Sequence, residues 1–419
     1  MRKIVTNNSR KYGYCTQTNK IYLWDDNYKY KEFDSVEYLT STELVQNKIS
    51  MFTVELTQQC NLRCSYCCYS GDYRDRRMHN SLEISWETLR HTVNFIQRHS
   101  DSESPKIVVC FYGGEALLAL DKMKWVISEL RKSIPERYQF SISTNGLLLT
   151  ENIVDWICSI PDLVINITIN GDHTTHDANR KTAGGKGSFS VIMNNLTLFK
   201  QKYSEEYDRR IQFLSTVHSC KEIISISDYW ETNPLLKNHR PVHISYVIPN
   251  FDKKPVSMIN LTWVKSFYNR AREDLRNGKE NIITDELQRL VGKVRSREFY
   301  ELPSNQRFVT CLHNLYSCFI TARGDLYACE KFCSKNKVGN VYEGVNDNEC
   351  RILIDSFLER KNKYCSSCWA NRLCRICATN LNHTDEEFNI LCDEERVYVE
   401  LALQYYCEVR EFEMNKGMP

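Results

Sequence analysis

Three features of the 419-residue sequence predict an α/β fold, a partial (β/α)6 TIM-like barrel with a small β-rich cap before it and a cysteine-rich domain after it. Between residues 51 and 250, short apolar runs alternate with amphipathic stretches, as parallel strands alternate with crossover helices. Cysteines, glycines and polar residues gather where those runs end, the pattern of a barrel whose chemistry sits at the C-terminal strand ends. Nineteen cysteines, nine of them between 311 and 377 and none between 221 and 310, mark a separate metal-rich end.

Composition narrows the class. The length allows two to three domains with substantial cores, and a net charge of +2 leaves no electrostatic footprint for nucleic acid. No apolar run reaches the length of a membrane span, and the Met-Arg-Lys-Ile start lacks the apolar region of a signal peptide. The chain is therefore expected to be cytoplasmic. In that reducing compartment its cysteines are better explained as metal ligands than as disulfides.

The elements follow in order. Residues 1–50 alternate polar and aromatic side chains, as in Lys20-Ile-Tyr-Leu-Trp24, and read as one or two short strands with a turn at Asp25-Asp26-Asn27. Barrel strands are expected at Met51–Leu56, Lys106–Tyr112, Tyr138–Ser143, Leu163–Ile169, Arg210–Val217 and His243–Ile248. Helices are expected to begin near Trp86, Leu120, Thr150, Ser188 and Lys221, with Ser188 as an N-cap. Residues 251–310 show helical periodicity around Leu261–Leu275 and Thr284–Ser296 and read as a helical linker. Residues 311–419 form the cysteine-rich domain and close on a helix over Glu395–Phe412.

The first chemical signal is Glu55-Leu-Thr-Gln-Gln-Cys60-Asn-Leu-Arg-Cys64-Ser-Tyr-Cys67, a Cx3Cx2C loop directly after the first strand. Three thiolates can hold three irons of a cubane cluster and leave the fourth iron open. A structural zinc site would want a fourth ligand, which the loop does not offer nearby. The loop resembles the signature of the radical S-adenosylmethionine enzymes, including the aromatic Tyr66 before its last cysteine. The resemblance implies that Cys60, Cys64 and Cys67 hold a [4Fe-4S] cluster whose open iron chelates S-adenosylmethionine. An electron from the cluster then cleaves that cofactor to a 5′-deoxyadenosyl radical.

Further cofactor contacts are implied by the same resemblance. Gly113, Gly114 and Glu115 match the element that holds the methionine amino group, and Ser143 and Asn145 fall where relatives bind the ribose and carboxylate. Arg180 matches an arginine that pairs with the cofactor carboxylate, a role that suits a guanidinium. Val247 or Ile248 would touch the adenine. Asn170 replaces an acid with an amide, and Thr144 reads as a strand-to-helix cap. His173 and His176 read as a surface turn, while Ala183-Gly-Gly-Lys-Gly187 lacks the register of a phosphate loop and reads as a flexible loop.

A second signal lies beyond Cys311. Cys311, Cys318 and Cys329 precede Cys365-x2-Cys368-x5-Cys374-x2-Cys377 and then Cys392, with Gly324 five positions before Cys329. Zinc ribbons normally separate their Cx2C pairs by ~15–20 residues. The run resembles the SPASM domain of peptide-maturing radical enzymes, which carries two auxiliary [4Fe-4S] clusters, although two residues rather than three separate Cys374 from Cys377. By that resemblance Cys311, Cys318, Cys329 and Cys377 ligate one cluster, and Cys365, Cys368, Cys374 and Cys392 the other. Glu330 stands where sulfatase-maturing relatives place a catalytic aspartate, and is the candidate general base. Cys15, Cys68, Cys110, Cys158, Cys220, Cys333, Cys350 and Cys407 fit neither pattern and read as structural.

The implied activity is a peptide maturase that abstracts a hydrogen from a ribosomally made precursor peptide and installs a thioether or carbon–carbon cross-link. It would use three clusters, S-adenosylmethionine and an electron donor such as flavodoxin or ferredoxin. The alternatives are a sulfatase-type maturase that oxidises Cys or Ser to formylglycine, and a zinc-stabilised peptide-binding protein without redox chemistry.

Overall fold

The computed structural model describes residues 1–40, 49–133, 136–247, 250–251, 261–308, 310–313, 315–332 and 334–415. The chain folds as two compact units that do not follow sequence order, one of residues 1–42, 256–310 and 352–419, the other of residues 43–255 and 311–351.

The first unit opens with an antiparallel meander of β1 (Arg2–Val5), β2 (Lys11–Cys15) and β3 (Lys20–Leu23), followed by β4 (Glu37–Thr40). The second unit begins at β5 (Met51–Thr57) and the short β6 (Leu62–Cys64). It continues through α1 (Trp86–His99), β7 (Ile107–Gly113), α2 (Leu120–Ser133), β8 (Tyr138–Thr144), α3 (Glu151–Ser159) and β9 (Leu163–Thr168). Then come α4 (His173–Asn179), β10 (Arg180–Thr182), α5 (Phe189–Lys202), α6 (Ser204–Arg210), β11 (Ile211–Val217), α7 (Cys220–Thr232) and β12 (His243–Tyr246). The chain returns to the first unit in α8 (Leu261–Arg276), α9 (Ile282–Arg295) and β13 (Asn305–Phe308), which pairs in parallel with β4. Strands β14 (Ser317–Ile320), β15 (Asp325–Tyr327), β16 (Gly339–Asn340) and β17 (Gly344–Val345) belong to the second unit; α10 (Asp347–Cys365) and α11 (Asp385–Asn415) complete the chain.

The barrel sheet runs β12-β11-β9-β8-β7-β5-β14-β15-β16-β17, and its first seven strands are joined in parallel. Residues 317–345, read from sequence as part of the cysteine-rich end, thus extend the barrel sheet. Strand residues alternate with a period of two. Phe52, Phe111, Phe140, Ile142, Ile165, Ile167 and Phe213 are fully buried, and edge-to-face contacts of Phe52 with Phe95 of α1 and Phe213 with Trp230 of α7 show that helices cover this face. The intervening Cys110, Tyr112, Ser141, Ser143, Asn166, Thr168 and Thr216 are only half-buried. One face of the sheet is a helix-covered core and the other is an open, mostly polar concavity.

The six expected barrel strands all form, with ends shifted by at most two residues; Ile248, the expected end of the sixth, lies outside the described residues. Ser188 does precede α5, but its side chain makes no cap bond. The Asp177 carboxylate instead accepts the Ser188 and Phe189 N–H groups, both at 2.9 Å, and so satisfies the orphan donors of that helix. His176 is not on a surface turn: it is wholly buried on α4. No helix among the described residues is long and apolar enough to cross a membrane.

Candidate active site

Strand β5 delivers the cysteine loop to the C-terminal end of the sheet. Cys60, Cys64 and Cys67 are free and half-buried. The Leu62 N–H donates to the Cys60 sulfur at 3.4 Å, and β6 pairs antiparallel with β10 so that Cys64 stands opposite Arg180. Burial, then the neighbouring Cys68, Cys64 and Cys60, push the Cys67 thiol up to about 12, and burial followed by Glu115 and Cys64 raises Cys60. The three sulfurs are thus mutual electrostatic neighbours. Among the described residues no three Cys, His, Asp or Glu side chains converge as a single ion would require.

Beside the loop, the Tyr66 hydroxyl accepts from Asn170 Nδ2 and from Arg180 Nη1, each at 3.0 Å. With both acceptor positions filled, the phenol proton is left to donate elsewhere. Asn170 is buried, and its Oδ1 accepts the Thr216 N–H of β11 at 3.0 Å. An amide serves both partners here where an ionised acid could not donate to Tyr66. Arg180 is 5 % exposed, donates Nε–H to His176 at 3.2 Å, and has no carboxylate partner among the described residues. Burial and then the Arg180 charge press the His176 imidazole down to about 2, so it stays neutral. A buried guanidinium that feels the Glu115 charge through space but makes no direct ion pair among the described residues keeps donors for a carboxylate-bearing ligand.

Glu115 follows β7 by two residues, capping the short helical turn Ala116–Ala119, and is 1 % exposed. Its carboxylate accepts from Leu117 N–H (3.1 Å), Thr144 Oγ1 (2.7 Å) and Asn145 N–H (2.8 Å). Burial raises its pKa against those three bonds. Thr144 is therefore tied to Glu115 and also receives the Gly146 N–H. Gly113 and Gly114 lie against the backbone of Thr57, Gln59 and Cys60, where any Cβ would collide; Gly113 also has φ +147°. The glycines let this turn lock onto the cysteine loop through Gly114 N–H to Thr57 O and Glu115 N–H to Gln59 O, both 2.8 Å. Asn145 donates Nδ2–H to Asn61 at 2.6 Å and lies 4.0 Å from the Cys60 sulfur. Ser143 is half-buried on the open face of β8, and Val247 follows β12, its N–H bonded to Val217 O at 2.9 Å.

Sequence reasoning missed the groups that fasten the loop after the cysteines. Glu55, wholly buried in β5, pairs with Arg77 at 2.5 Å and accepts from Gln58 and Ala322. The Arg77 guanidinium lies 3.6 Å over the Tyr69 ring. A lone acid inside the apolar run Met51–Leu56 was the available signal, since a buried charge needs a partner. His79 places Nε2 3.5 Å from the Cys67 sulfur, and burial, then Arg63 and Arg77, lower its pKa. The same loop is stitched to residues 331–335 through Arg76 to Lys331 O (2.7 Å), Ser334 to Asp75 O (2.9 Å) and Lys335 to Asp75 (2.9 Å).

These ties bring Glu330 into the concavity. It is half-buried, makes no hydrogen bond or ion pair among the described residues, and acts electrostatically on Cys68, Cys110 and Tyr112. Burial and then Glu330 push Cys110 up to about 11, while the Ser141 hydroxyl opposes the shift.

The remaining cysteines divide between the two units. Cys318 is 1 % exposed on β14, beside the buried Cys350 that sequence reading left out of the ligand sets. Cys311 is exposed and Cys329 half-buried in the same unit; Cys377, assigned from sequence to their set, is an exposed residue of the other unit, with its sulfur 3.1 Å from Thr379 Oγ1. Cys333 lies outside the described residues. Cys365, Cys368, Cys374 and Cys392 all lie in the first unit as electrostatic neighbours, Cys374 and Cys392 each being influenced by Cys365. The Ile376 N–H donates to the Cys374 sulfur at 3.4 Å, repeating the Cys60 pattern. Lys361 and Arg396 add positive charge beside this quartet.

Comparison with known proteins agrees with this geometry. Residues 54–211 match the Radical SAM superfamily. The cysteine-type anaerobic sulfatase-maturating enzyme of Clostridium novyi is 24% identical over 382 residues, 84% of this chain and 94% of that protein. A serine-type counterpart from Bacteroides thetaiotaomicron is 29% identical over 148 residues, 34% of each chain. The structure of native anSMEcpe with bound AdoMet superposes with a TM-score of 0.64 at 18% identity, covering 86% of this chain and 98% of that one. Streptococcus suis SuiB bound to its precursor peptide SuiA gives 0.51 at 13% identity, over 82% and 75%. At such identities the two superpositions establish a shared fold, and the family match identifies residues 54–211 as a radical SAM domain.

Proposed function

We propose that the enzyme matures a peptide: it removes a hydrogen atom from a side chain of a ribosomally made precursor and joins the resulting carbon to a cysteine sulfur or a second carbon. The observation that carries this reading is Glu330, a half-buried carboxylate with no hydrogen bond or ion pair among the described residues, acting electrostatically on Cys68 next to the cysteine loop and on Tyr112 of β7. A base so placed can take the proton from a substrate thiol as the thioether forms. A separate cavity of about 310 Å³ near the N-terminal ends of β8, β9 and β11 is lined by Gln139, Ser141, Asn166 and Gln212 together with the charged Asp162, Arg209 and Arg210.

Cys60, Cys64 and Cys67 would hold the first cluster, and Arg180, with Glu115, Ser143, Asn145, Tyr66 and Val247, would frame S-adenosylmethionine. The quartet Cys365, Cys368, Cys374 and Cys392 would hold an auxiliary cluster, and Cys311, Cys318, Cys329 and Cys377 are proposed for another. Bound there, these groups supply reductive cleavage of S-adenosylmethionine to methionine and 5′-deoxyadenosine, hydrogen abstraction, and a sink for the surplus electron. A low-potential carrier such as flavodoxin or ferredoxin would deliver the reducing electron. The protein's own part is to hold the cofactor carboxylate on Arg180, keep His176 neutral behind it, and present Glu330 to the substrate.

Formylglycine formation is the second reading, favoured by the same carboxylate and by the breadth of likeness to the sulfatase-maturating enzymes. Mass spectrometry separates the two. The anaerobically reconstituted enzyme is incubated with short Cys- or aromatic-rich peptides encoded beside its gene and, separately, with a sulfatase-type peptide. Loss of two hydrogens at a new cross-link supports the first reading; exchange of a cysteine sulfur for a carbonyl oxygen supports the second. A brown protein with about eleven to twelve irons is expected, and a colourless one with zinc would overturn both.

A further inference from the structure

The loop that closes over the cysteines carries a histidine that the radical chemistry does not require. His79 Nε2 lies 3.5 Å from the sulfur of Cys67. The ring is held there on purpose-built supports: the His79 N–H donates to Tyr69 O at 3.0 Å, and Tyr69 lies under the Arg77 guanidinium, which is paired to the buried Glu55 of β5. The other ring nitrogen, Nδ1, is buried without a hydrogen-bond partner among the described residues. The Gln58 backbone acts on the ring as well, and the Cys67 sulfur is the partner within hydrogen-bond distance of Nε2. A cysteine that ligates iron is a thiolate and can only accept, so the single proton of a neutral imidazole belongs on Nε2.

We infer that His79 donates a hydrogen bond to the Cys67 sulfur and thereby raises the reduction potential of the cluster held by Cys60, Cys64 and Cys67. This inference rests on the reading that those three cysteines hold the cluster. The physical cause is simple. One-electron reduction adds negative charge that is shared by the sulfurs, an N–H···S bond strengthens with that charge, and hydrogen bonds to the sulfurs are among the levers that set cluster potentials. The backbone N–H of Leu62 bonds Cys60 at 3.4 Å in a way no side-chain substitution can remove, whereas the bond to Cys67 is set by one side chain. His79 is therefore a positioning residue, acting on the electron affinity of the site through Cys67.

The test is an EPR-monitored redox titration of the full-length, anaerobically reconstituted protein with dithionite as reductant. The first cluster is identified as the signal that changes when S-adenosylmethionine is added. His79→Leu is expected to lower its midpoint by about 59 mV, a tenfold change in the reduced-to-oxidised ratio of a one-electron couple. His79→Gln, whose amide can still donate, should restore most of the shift, and resonance Raman should show Fe–S(Cys) bands that move in the Leu variant and return in the Gln variant. Equal midpoints for wild type, Leu and Gln variants with matching iron content would overturn the inference. If His79→Leu loses the cluster, the Gln midpoint and Raman bands decide in its place, since a donor-bearing side chain must keep both near wild type. Absence of any signal that responds to S-adenosylmethionine in wild type would instead overturn the underlying assignment of Cys60, Cys64 and Cys67.

Discussion

Glu115→Gln separates a carboxylate that fastens the barrel mouth from one that serves only a ligand. Three donors converge on Glu115: Leu117 N–H and Thr144 Oγ1 on one oxygen, at 3.1 and 2.7 Å, and Asn145 N–H on the other at 2.8 Å. A glutamine can keep the first pair on its carbonyl, but its amide nitrogen then faces the Asn145 N–H, donor against donor. Losing a charge-assisted bond costs about 1.5–3 kcal/mol, and a buried donor left unsatisfied about 1–3 kcal/mol. Burial opposes the charge of Glu115, as its raised pKa indicates, so the neutral side chain recovers part of this. A net loss of about 2–4 kcal/mol follows. Anaerobic urea unfolding of cluster-free wild type and variant, followed by far-UV circular dichroism, reads this directly. Thr144→Val, which removes the same donor and the acceptor for Gly146 N–H, should give a smaller loss of about 1–2 kcal/mol. Unchanged unfolding midpoints for Glu115→Gln, with S-adenosylmethionine binding lost, would refute the fastening role and leave a purely ligand-directed one.

Other outcomes follow from the same contacts. Asn170→Asp removes the donor to Tyr66 and places an anion where it can pair with Arg180; S-adenosylmethionine affinity by equilibrium dialysis should fall about tenfold, ~1.4 kcal/mol, with folding stability retained. His176 is held neutral in the fold, with a pKa near 2, against about 6.5 unfolded. Its folded pKa is depressed, so the unfolded chain binds the extra proton: the contribution is intact above pH 6.5 and falls as pH drops, by about 1.4 kcal/mol at pH 5.5. A neutral His176→Gln variant should lack that slope in urea unfolding at pH 7.5 and 5.5. The double change Cys374→Ser and Cys392→Ser should lower bound iron by one cluster's worth while leaving the S-adenosylmethionine-responsive EPR signal in place.

The barrel was legible because its strands combine period-two burial with sharp polar boundaries, and Met51, Ile107, Tyr138, Leu163 and Ile211 start within a residue of their expected positions. Short elements were not. β6, β10, α4 and α6 are polar and too brief for a periodic signal, yet β6 and β10 set Cys64 opposite Arg180. Strands β14–β17 were hidden because the cysteines dominated the reading of that region, and α11 begins at Asp385, ten residues before its apolar stripe becomes evident. In the site, motif spacing exposed Cys60, Cys64, Cys67, Glu115 and Arg180, whereas the roles of Glu55, Asn170, Arg77 and His79 depend on tertiary contacts that spacing cannot encode. The glycines of the Gly-Gly-Glu turn show the difference: sequence reads them as room for a ligand, and the fold uses them to seat the turn on the backbone of Gln59 and Cys60.

The most direct measurement is 5′-deoxyadenosine formation by the reduced, reconstituted protein and by Cys64→Ala, quantified by liquid chromatography alongside iron content. Wild type should form 5′-deoxyadenosine and methionine in equal amounts, and Cys64→Ala should form none while retaining the iron held by the other cysteines. Cleavage by Cys64→Ala at the wild-type rate would contradict the assignment of the loop at 60–67 and the radical chemistry built on it.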